Sequence, residues 1–374
     1  MSDPAVQPHD RSLPAEAILE VIPDPLLLVR AIETGRREIV YGNAAARALF
    51  RIDLEGAPLE AALRQPQVLE AIEAARSTGG PEDVLFESIG AQPRFWRAFV
   101  RPLGRGDELV LVLRDETDAR RTERMRADFL ANASHELRTP LASLAGFVET
   151  LRTHAREDPQ ARDRFLAIMA EQAARMARLI DDLLSLSRIE LNEHIAPDGV
   201  VDLLRAVDDV ADAVRPLTAE RGIRIEVSAP EGSLGAVGDR DQIVQVVQNL
   251  IDNAVKYSPR GGVVRVSLSR VEGVGAARAA SREGAVALSL LTPDAGADQP
   301  YVVGRIADEG PGMARQHLPR LSERFYRVEG QTSGGTGLGL AIVKHVVNRH
   351  RGGLMVESAE GQGTTLTVYL PAAL

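Results

Sequence analysis

The sequence predicts a multidomain α+β protein, and three observations predict it. At 374 residues, the chain is long enough for two or three domains with cores of their own. Its apolar pattern changes character along its length: a mixed strand and helix segment comes first, two long helical stretches follow, and an α/β alternation runs to the C-terminus. Its 44% hydrophobic and 26% charged residues are ordinary for globular domains. No cysteine occurs, which excludes disulfide scaffolds, thiolate metal sites and cysteine nucleophiles. The net charge of −9 argues against broad phosphate neutralisation, so no nucleic-acid partner is expected.

Residues 1–12 are polar, carry Pro4 and Pro8, and read as a flexible tail. From 13 to 115, strands are predicted at Pro25–Val29, Glu38–Tyr41, Val84–Glu87, Phe95–Arg101 and Glu108–Leu113. Helices are predicted at Asn43–Phe50 and Pro66–Arg76, and a turn at Gly104-Arg105-Gly106-Asp107. Arg114–Ser134 lacks Pro and Gly and reads as a helix whose apolar period continues through Leu151. Charge and proline break it over Thr153–Pro159. A second helix repeats Phe165, Met169, Gln172, Met176, Leu179, Leu183 and Leu186 in steps of four and three, the seam of a bundle. Two such helices cannot close a core alone, which predicts a homodimer with a four-helix bundle.

Beyond residue 200, helices are predicted at Leu203–Ala219, Asp239–Tyr257 and Leu338–Arg349. Strands are predicted at Ile223–Val227, Val263–Ser269, Tyr301–Ala307, Leu354–Ser358 and Thr364–Leu370. Gly273–Ala297 reads as a hairpin loop around a strand at Ala285–Leu291. No apolar run approaches the roughly 18 residues of a membrane span, and Met1–Arg11 lacks the apolar centre of a signal peptide. The expected location is the cytoplasm, with recruitment to a membrane sensor complex left open.

Three constellations carry chemistry. Ser134-His135-Glu136-Leu137-Arg138-Thr139-Pro140 puts an imidazole beside a carboxylate, with Thr139 one turn on and Pro140 loosening or bending the helix at the Glu136 carbonyl. For an arbitrary His-Glu pair a solvated polar face is the commoner reading. Next, Asn249, Asn253, Lys256 and Tyr257 form one polar stripe opposite Val246, Val247, Leu250 and Ile251. Amide oxygens can ligate Mg²⁺, an ammonium can meet phosphate, and a ring can lie on a base. Lys256 and Lys344 are the only lysines in an arginine-based chain, which suits a compact point charge at Lys256. Finally, Asp308-Glu309-Gly310-Pro311-Gly312 follows a strand, and Gly334-Gly335-Thr336-Gly337-Leu338-Gly339-Leu340 opens a helix, where amides can approach phosphate. Neither a phosphate-binding lysine loop nor a dinucleotide fingerprint is formed.

Together these residues resemble the sensor histidine kinases of two-component systems, with a phosphoacceptor box at Phe129–Leu141 and an asparagine box at Asn249–Tyr257. The first glycine box is Asp308–Gly312, a phenylalanine box is Glu323–Val328, and the second glycine box is Gly335–Leu340. The front segment is similar to a PAS sensor domain, with Asp115-Glu116-Thr117 at its exit, and the subgroup looks like phosphate-regulon sensor kinases. The implied domains are a PAS-like sensor over 13–115, a signal helix and dimerising phosphotransfer hairpin over 116–192, and a GHKL or Bergerat-type α/β sandwich over 200–374.

The resemblance implies that His135 accepts phosphate from ATP and passes it to an aspartate of a response regulator receiver domain. It implies that Glu136 assists deprotonation and that Thr139 positions water for regulator dephosphorylation. Asn253 would ligate Mg²⁺ with Asn249 in support, and Lys256 would meet phosphate. Tyr257 would line the nucleotide and Asp308 would bind adenine. Gly310, Gly312, Gly335, Thr336, Gly337, Leu338 and Gly339 would shape the nucleotide site, with Arg327 a phosphate contact in the lid. Related ATPases carry a glutamate where this chain has Asn249, so ATP here should await an imidazole rather than water. A degenerate scaffold and a regulator phosphatase are the other classes, and the sensed signal and the choice between transfer within or between chains stay open.

Overall fold

The computed structural model describes residues 15–32, 36–88, 93–104, 108–153, 158–232, 234–279, 282, 284–293, 299–328 and 335–373. The N-terminal tail, most of the 104–107 turn, residues 154–157 of the helix connection and Gly334 lie outside the described residues. The chain divides into two units, Met1–Asp128 and Phe129–Leu374.

The first unit contains α1 (Ala15–Glu20), β1 (Leu26–Ala31), β2 (Arg37–Gly42), α2 (Ala44–Phe50), α3 (Leu59–Ala62), α4 (Pro66–Thr78), β3 (Glu82–Ser88), β4 (Arg94–Pro102) and β5 (Glu108–Asp115). The strands form an antiparallel sheet in the order β2-β1-β5-β4-β3. Alternation along β4 and β5 buries Trp96, Ala98, Val100, Leu109, Leu111 and Leu113 on one face, where Val68, Ile72 and Ala75 of α4 join the same core. Asn43 caps α2 from a fully buried position: Oδ1 accepts from Leu26 N and Ala46 N, and Nδ2 donates to the carbonyls of Leu19, Ile22 and Asp24. One amide thereby ties four segments together with its hydrogen-bonding capacity used.

Two expectations need correction in this unit. The helices α1 and α3 are too short to show a period and escape the sequence reading. The helix predicted from Arg114 begins at Thr117 instead, because Arg114 and Asp115 extend the β5 ladder against Arg97 and Trp96, and Asp115 Oδ1 accepts from Thr117 N at 2.9 Å.

The helix α5 (Thr117–Arg152) continues into the second unit. There follow α6 (Pro159–Leu191), β6 (Val200–Asp202), α7 (Leu203–Arg221), β7 (Arg224–Ser228), β8 (Gly235–Val237), α8 (Arg240–Tyr257), β9 (Val263–Glu272), α9 (Gly273–Ala277), β10 (Val286–Leu291), β11 (Pro300–Ala307), a 3-10 turn at Arg315–Arg320, α10 (Gly339–Arg349), β12 (Gly353–Ser358) and β13 (Thr364–Pro371). The hairpin of α5 and α6 packs Phe147 on Phe165 with ring centroids 5.4 Å apart, and Asp158 caps α6 by accepting from Gln160 N and Ala161 N. The loosening expected at Pro140 does not become a break. The residue is buried, and α5 runs through it as a single helix.

The main sheet has the order β10-β12-β13-β11-β9-β7, with β7 and β9 parallel and the other pairs antiparallel. One face meets α7, α8 and α10 in a core that includes Val210, Leu250, Ile251, Val343, Val266, Ile306 and Val356. The other face holds a small cluster of Tyr301, Val303, Tyr369 and Ala277 of α9. The expected hairpin around Ala285–Leu291 is corrected: β10 pairs with β12 at the sheet edge, 60 and more residues later, and does not fold back on its neighbours in sequence. Long-range pairing of this kind has no local turn signature.

Candidate functional site

Two cavities share a wall in the second unit. The first, about 340 Å³, lies between α8, the end of β11, the start of α10 and the face of α6. Asp239 starts α8 by accepting from Asp241 N and Gln242 N, and the Arg221 guanidinium donates to the carbonyls of Val255, Lys256 and Ser258 at its end. Val246, Val247, Leu250 and Ile251 anchor the helix in the core, which turns Asn249, Asn253, Lys256 and Tyr257 into the cavity. Lys256 Nζ donates to Tyr257 Oη at 3.2 Å. Among the described residues, the Asn253 carboxamide has no protein hydrogen-bond partner.

Asp308, Gly312, Arg327, Gly335, Thr336, Gly337 and Gly339 also line this cavity. Side chains approach the backbone closely here: a Cβ on Gly335 would fall 2.6 Å from the flexible end of Lys256, and one on Gly339 would fall 2.9 Å from Asn249 Oδ1. Gly312 has φ +65, and its Cβ would sit 1.8 Å from the Ala359 carbonyl oxygen, so no other residue fits. Two expected residues stand back from the cavity. The Leu338 side chain is fully buried in the core, because it follows the helical apolar period of α10, and Gly310 instead donates its N–H to Asp308 Oδ1 at 2.8 Å.

Burial governs the electrostatics. It pushes the Asp308 carboxyl above its ordinary range, and amide donation from Gly310 N and Thr364 N to Oδ1 partly offsets this. It also raises Asp182 and Asp252, opposed by hydrogen bonds from Thr336 and Gln248 respectively and, for both, by the nearby charge of Arg178.

The second cavity, about 430 Å³, is a cleft beside His135. Asn132, His135 and Glu136 of α5 form one side, and Arg320, Glu323, Arg324, Phe325, Tyr326 and Arg327 form the other. Tyr326 and Arg327 line both cavities. Phe129 and Phe325 lie 5.9 Å apart, Arg324 stacks over Phe129 and pairs with Glu190 of α6, and Thr336 Oγ1 donates to Asp182 at 2.7 Å. His135 is exposed, and Thr139 Oγ1 donates back to its carbonyl at 3.3 Å. The Glu136 carboxylate pairs with Arg175 at 3.2 Å.

Sequence reasoning missed Arg175, Arg178, Asp181 and Asp182, which line the first cavity from α6. Their spacing at i, i+3, i+6 and i+7 places them on one helix face, but a charged face opposite a seam ordinarily reads as solvated. Their partners lie on segments up to 154 residues away in the chain.

Comparison with known proteins agrees with this geometry. Residues 125–192 match the His Kinase A (phospho-acceptor) domain, and residues 238–374 match the Histidine kinase-, DNA gyrase B-, and HSP90-like ATPase family. The phosphate regulon sensor protein PhoR of Pseudomonas aeruginosa is 36% identical over 269 residues, 71% of this chain and 54% of PhoR, so the chain spans about half of that relative's length. The sensor-like histidine kinase SenX3 of Mycobacterium bovis is 31% identical over 370 residues, 96% of this chain and 80% of SenX3. The solved complex of histidine kinase ThkA with response regulator protein TrrA has the same fold, with a TM-score of 0.52 at 17% identity over 96% of this chain and 98% of that one. An acceptor helix facing an ATPase-type cavity, with relatives that match both parts, places the chain in the family of two-component sensor histidine kinases.

Proposed function

We propose that the chain is an ATP:protein-histidine phosphotransferase in which the catalytic sandwich phosphorylates His135 of its own hairpin. The observation that carries this reading is the common wall: Tyr326 and Arg327 line both the nucleotide cavity and the cleft that holds His135. ATP would lie with adenine at Asp308, whose Oδ1 is occupied by two amides and whose Oδ2 is left for the adenine amino group. Lys256, Gly335, Thr336, Gly337 and Gly339 would hold the phosphates, Tyr257 would flank the nucleotide, and Arg327 would meet the terminal phosphate. The unpartnered carboxamide of Asn253 fits Mg²⁺, with Asn249 beside it, and bound Mg²⁺ supplies charge neutralisation for the polyphosphate. No three His, Asp or Glu side chains converge on a metal among the described residues, so nucleotide oxygens would complete the ion's shell.

In the transfer, a ring nitrogen lone pair of His135 attacks the γ-phosphorus, the bond to the bridging oxygen breaks, and ADP leaves with that electron pair. The proton on the other ring nitrogen passes to Glu136. No carboxylate base occupies the Asn249 position to activate water, which favours transfer over hydrolysis. A response regulator aspartate would then take the phosphoryl group, and exposed Thr139 would position water for its later hydrolysis. Exposed Leu130, Leu141 and Val148 on α5, and Leu166, Ile180, Leu184 and Leu191 on α6, support a homodimer that covers them in a four-helix bundle. The five-stranded order of the first unit supports a PAS-like sensor. No described helix is long and apolar enough to cross a membrane.

The test is incubation of purified protein with γ-labelled ATP and Mg²⁺, beside His135→Gln. Label that is lost in acid, survives alkali and is absent from the variant supports the reading. ATP binding without any label overturns it in favour of a scaffold or a regulator phosphatase.

A further inference from the structure

Arg175 links the two cavities through Glu136. Its side chain lines the nucleotide cavity from α6, yet its Nη2 lies 3.2 Å from Glu136 Oε2. Glu136 in turn lines the acceptor cleft and is absent from the nucleotide cavity. The pair is about one-third exposed at both ends, 33% for Arg175 and 31% for Glu136. Such an ion pair is weak enough to be exchanged. A polyphosphate in the cavity offers a guanidinium more charge and more acceptors than one carboxylate does, in a geometry suited to its planar fork. Arg178, one turn on, is differently placed, because its charge acts on the buried carboxylates of Asp182 and Asp252.

We propose that Arg175 exchanges partners during the reaction, holding Glu136 before nucleotide arrives and turning to the polyphosphate of ATP once it is bound. This rests on the kinase reading above. While paired, Glu136 Oε2 is taken up by the Arg175 guanidinium instead of being open to the His135 proton. Release by ATP frees it to take that proton, so the base becomes available only when a phosphoryl donor is present. Arg175 is thus a positioning residue that acts on the acceptor through Glu136.

Linkage makes the proposal testable without an activity measurement. If Glu136 and ATP compete for Arg175, removing Glu136 must tighten ATP binding, although Glu136 does not line the nucleotide cavity. Binding of a non-hydrolysable ATP analogue with Mg²⁺ is measured by calorimetry on the full chain, Glu136→Gln, Arg175→Ala and the double variant. The expected results are about two- to fivefold tighter binding for Glu136→Gln, the range of a part-exposed ion pair, and about tenfold weaker binding for Arg175→Ala. The double variant should match Arg175→Ala alone. Unchanged or weaker binding in Glu136→Gln, or equal tightening in both backgrounds, overturns the exchange while leaving the kinase reading intact. Absence of binding by the unaltered chain overturns the nucleotide site itself, and the exchange with it.

Discussion

The proposed acceptor cleft and the proposed nucleotide cavity share Tyr326 and Arg327 but are built on opposite plans. On the His135 side, the residue proposed to react is an exposed imidazole, and its neighbours Ser134 and Thr139 spend their hydroxyls on carbonyls of their own helix. The nucleotide side draws residues from α6 to β13 into one cavity, where burial raises Asp182, Asp252 and Asp308 together. The difference teaches that a nucleophile needs only exposure and a neighbour, whereas selective recognition of a nucleotide needs desolvated groups that only a packed sheet can supply.

Mixed dimers break the comparison most sharply. His135→Gln chains, which keep the cavity, are combined with tagged Asn253→Ala chains, which keep the acceptor. Transfer within one chain predicts complete loss of label in the mixed dimer, and labelled His135 on the Asn253→Ala chain would show that the cleft is served by the partner's cavity. Asp308→Asn preserves the Oδ1 acceptor for Gly310 and Thr364 but presents an amide donor toward adenine. Nucleotide binding should weaken about 10- to 100-fold, as for loss of a hydrogen bond to a charged group. Binding within twofold of the unaltered chain, measured by calorimetry, would remove Asp308 from adenine recognition.

Thr139→Ala tests the exposed side alone. Dephosphorylation of the regulator should slow by about tenfold or more, while labelling of His135 stays near its original rate. Equal loss of both would sink the role assigned to Thr139.

The smallest effect concerns the support of the cavity. His350 is 3% exposed, its Nε2 accepts from Asp239 N at the start of α8, and its Nδ1 donates to the Val346 carbonyl. Burial holds its pKa below the ordinary 6.5. The unfolded chain therefore binds a proton that the folded chain refuses, so this contribution is whole above about pH 6.5 and is lost as pH falls below it. The slope is at most about 1.4 kcal/mol per pH unit. Melting of His350→Gln should lack that part of the acid sensitivity between pH 7.5 and about 5, and identical slopes in both proteins would exclude it.

Much of the fold was legible because the strands and helices repeat their apolar residues at fixed periods. The polar stripe of α8 and the His135 turn were visible for the same reason: their residues are near neighbours on one helix. Asn43 was read only as the start of a short helix. Its five side-chain hydrogen bonds reach back as far as Leu19 and depend on chain segments that its local pattern does not mention.

By itself, the sequence determined the helical seam of the hairpin, the His135-Glu136 turn and the glycines proposed to keep side chains off a phosphate, because each is set by local spacing or by a missing Cβ. The tertiary structure decided that β10 joins β12, that Leu338 is core rather than lining, and that α6 contributes Arg175, Arg178 and Asp182 to the nucleotide cavity. These outcomes depend on which surfaces meet after the chain has folded. Burial, charge pairing and access to solvent are properties of that meeting, and no stretch of residues carries them alone.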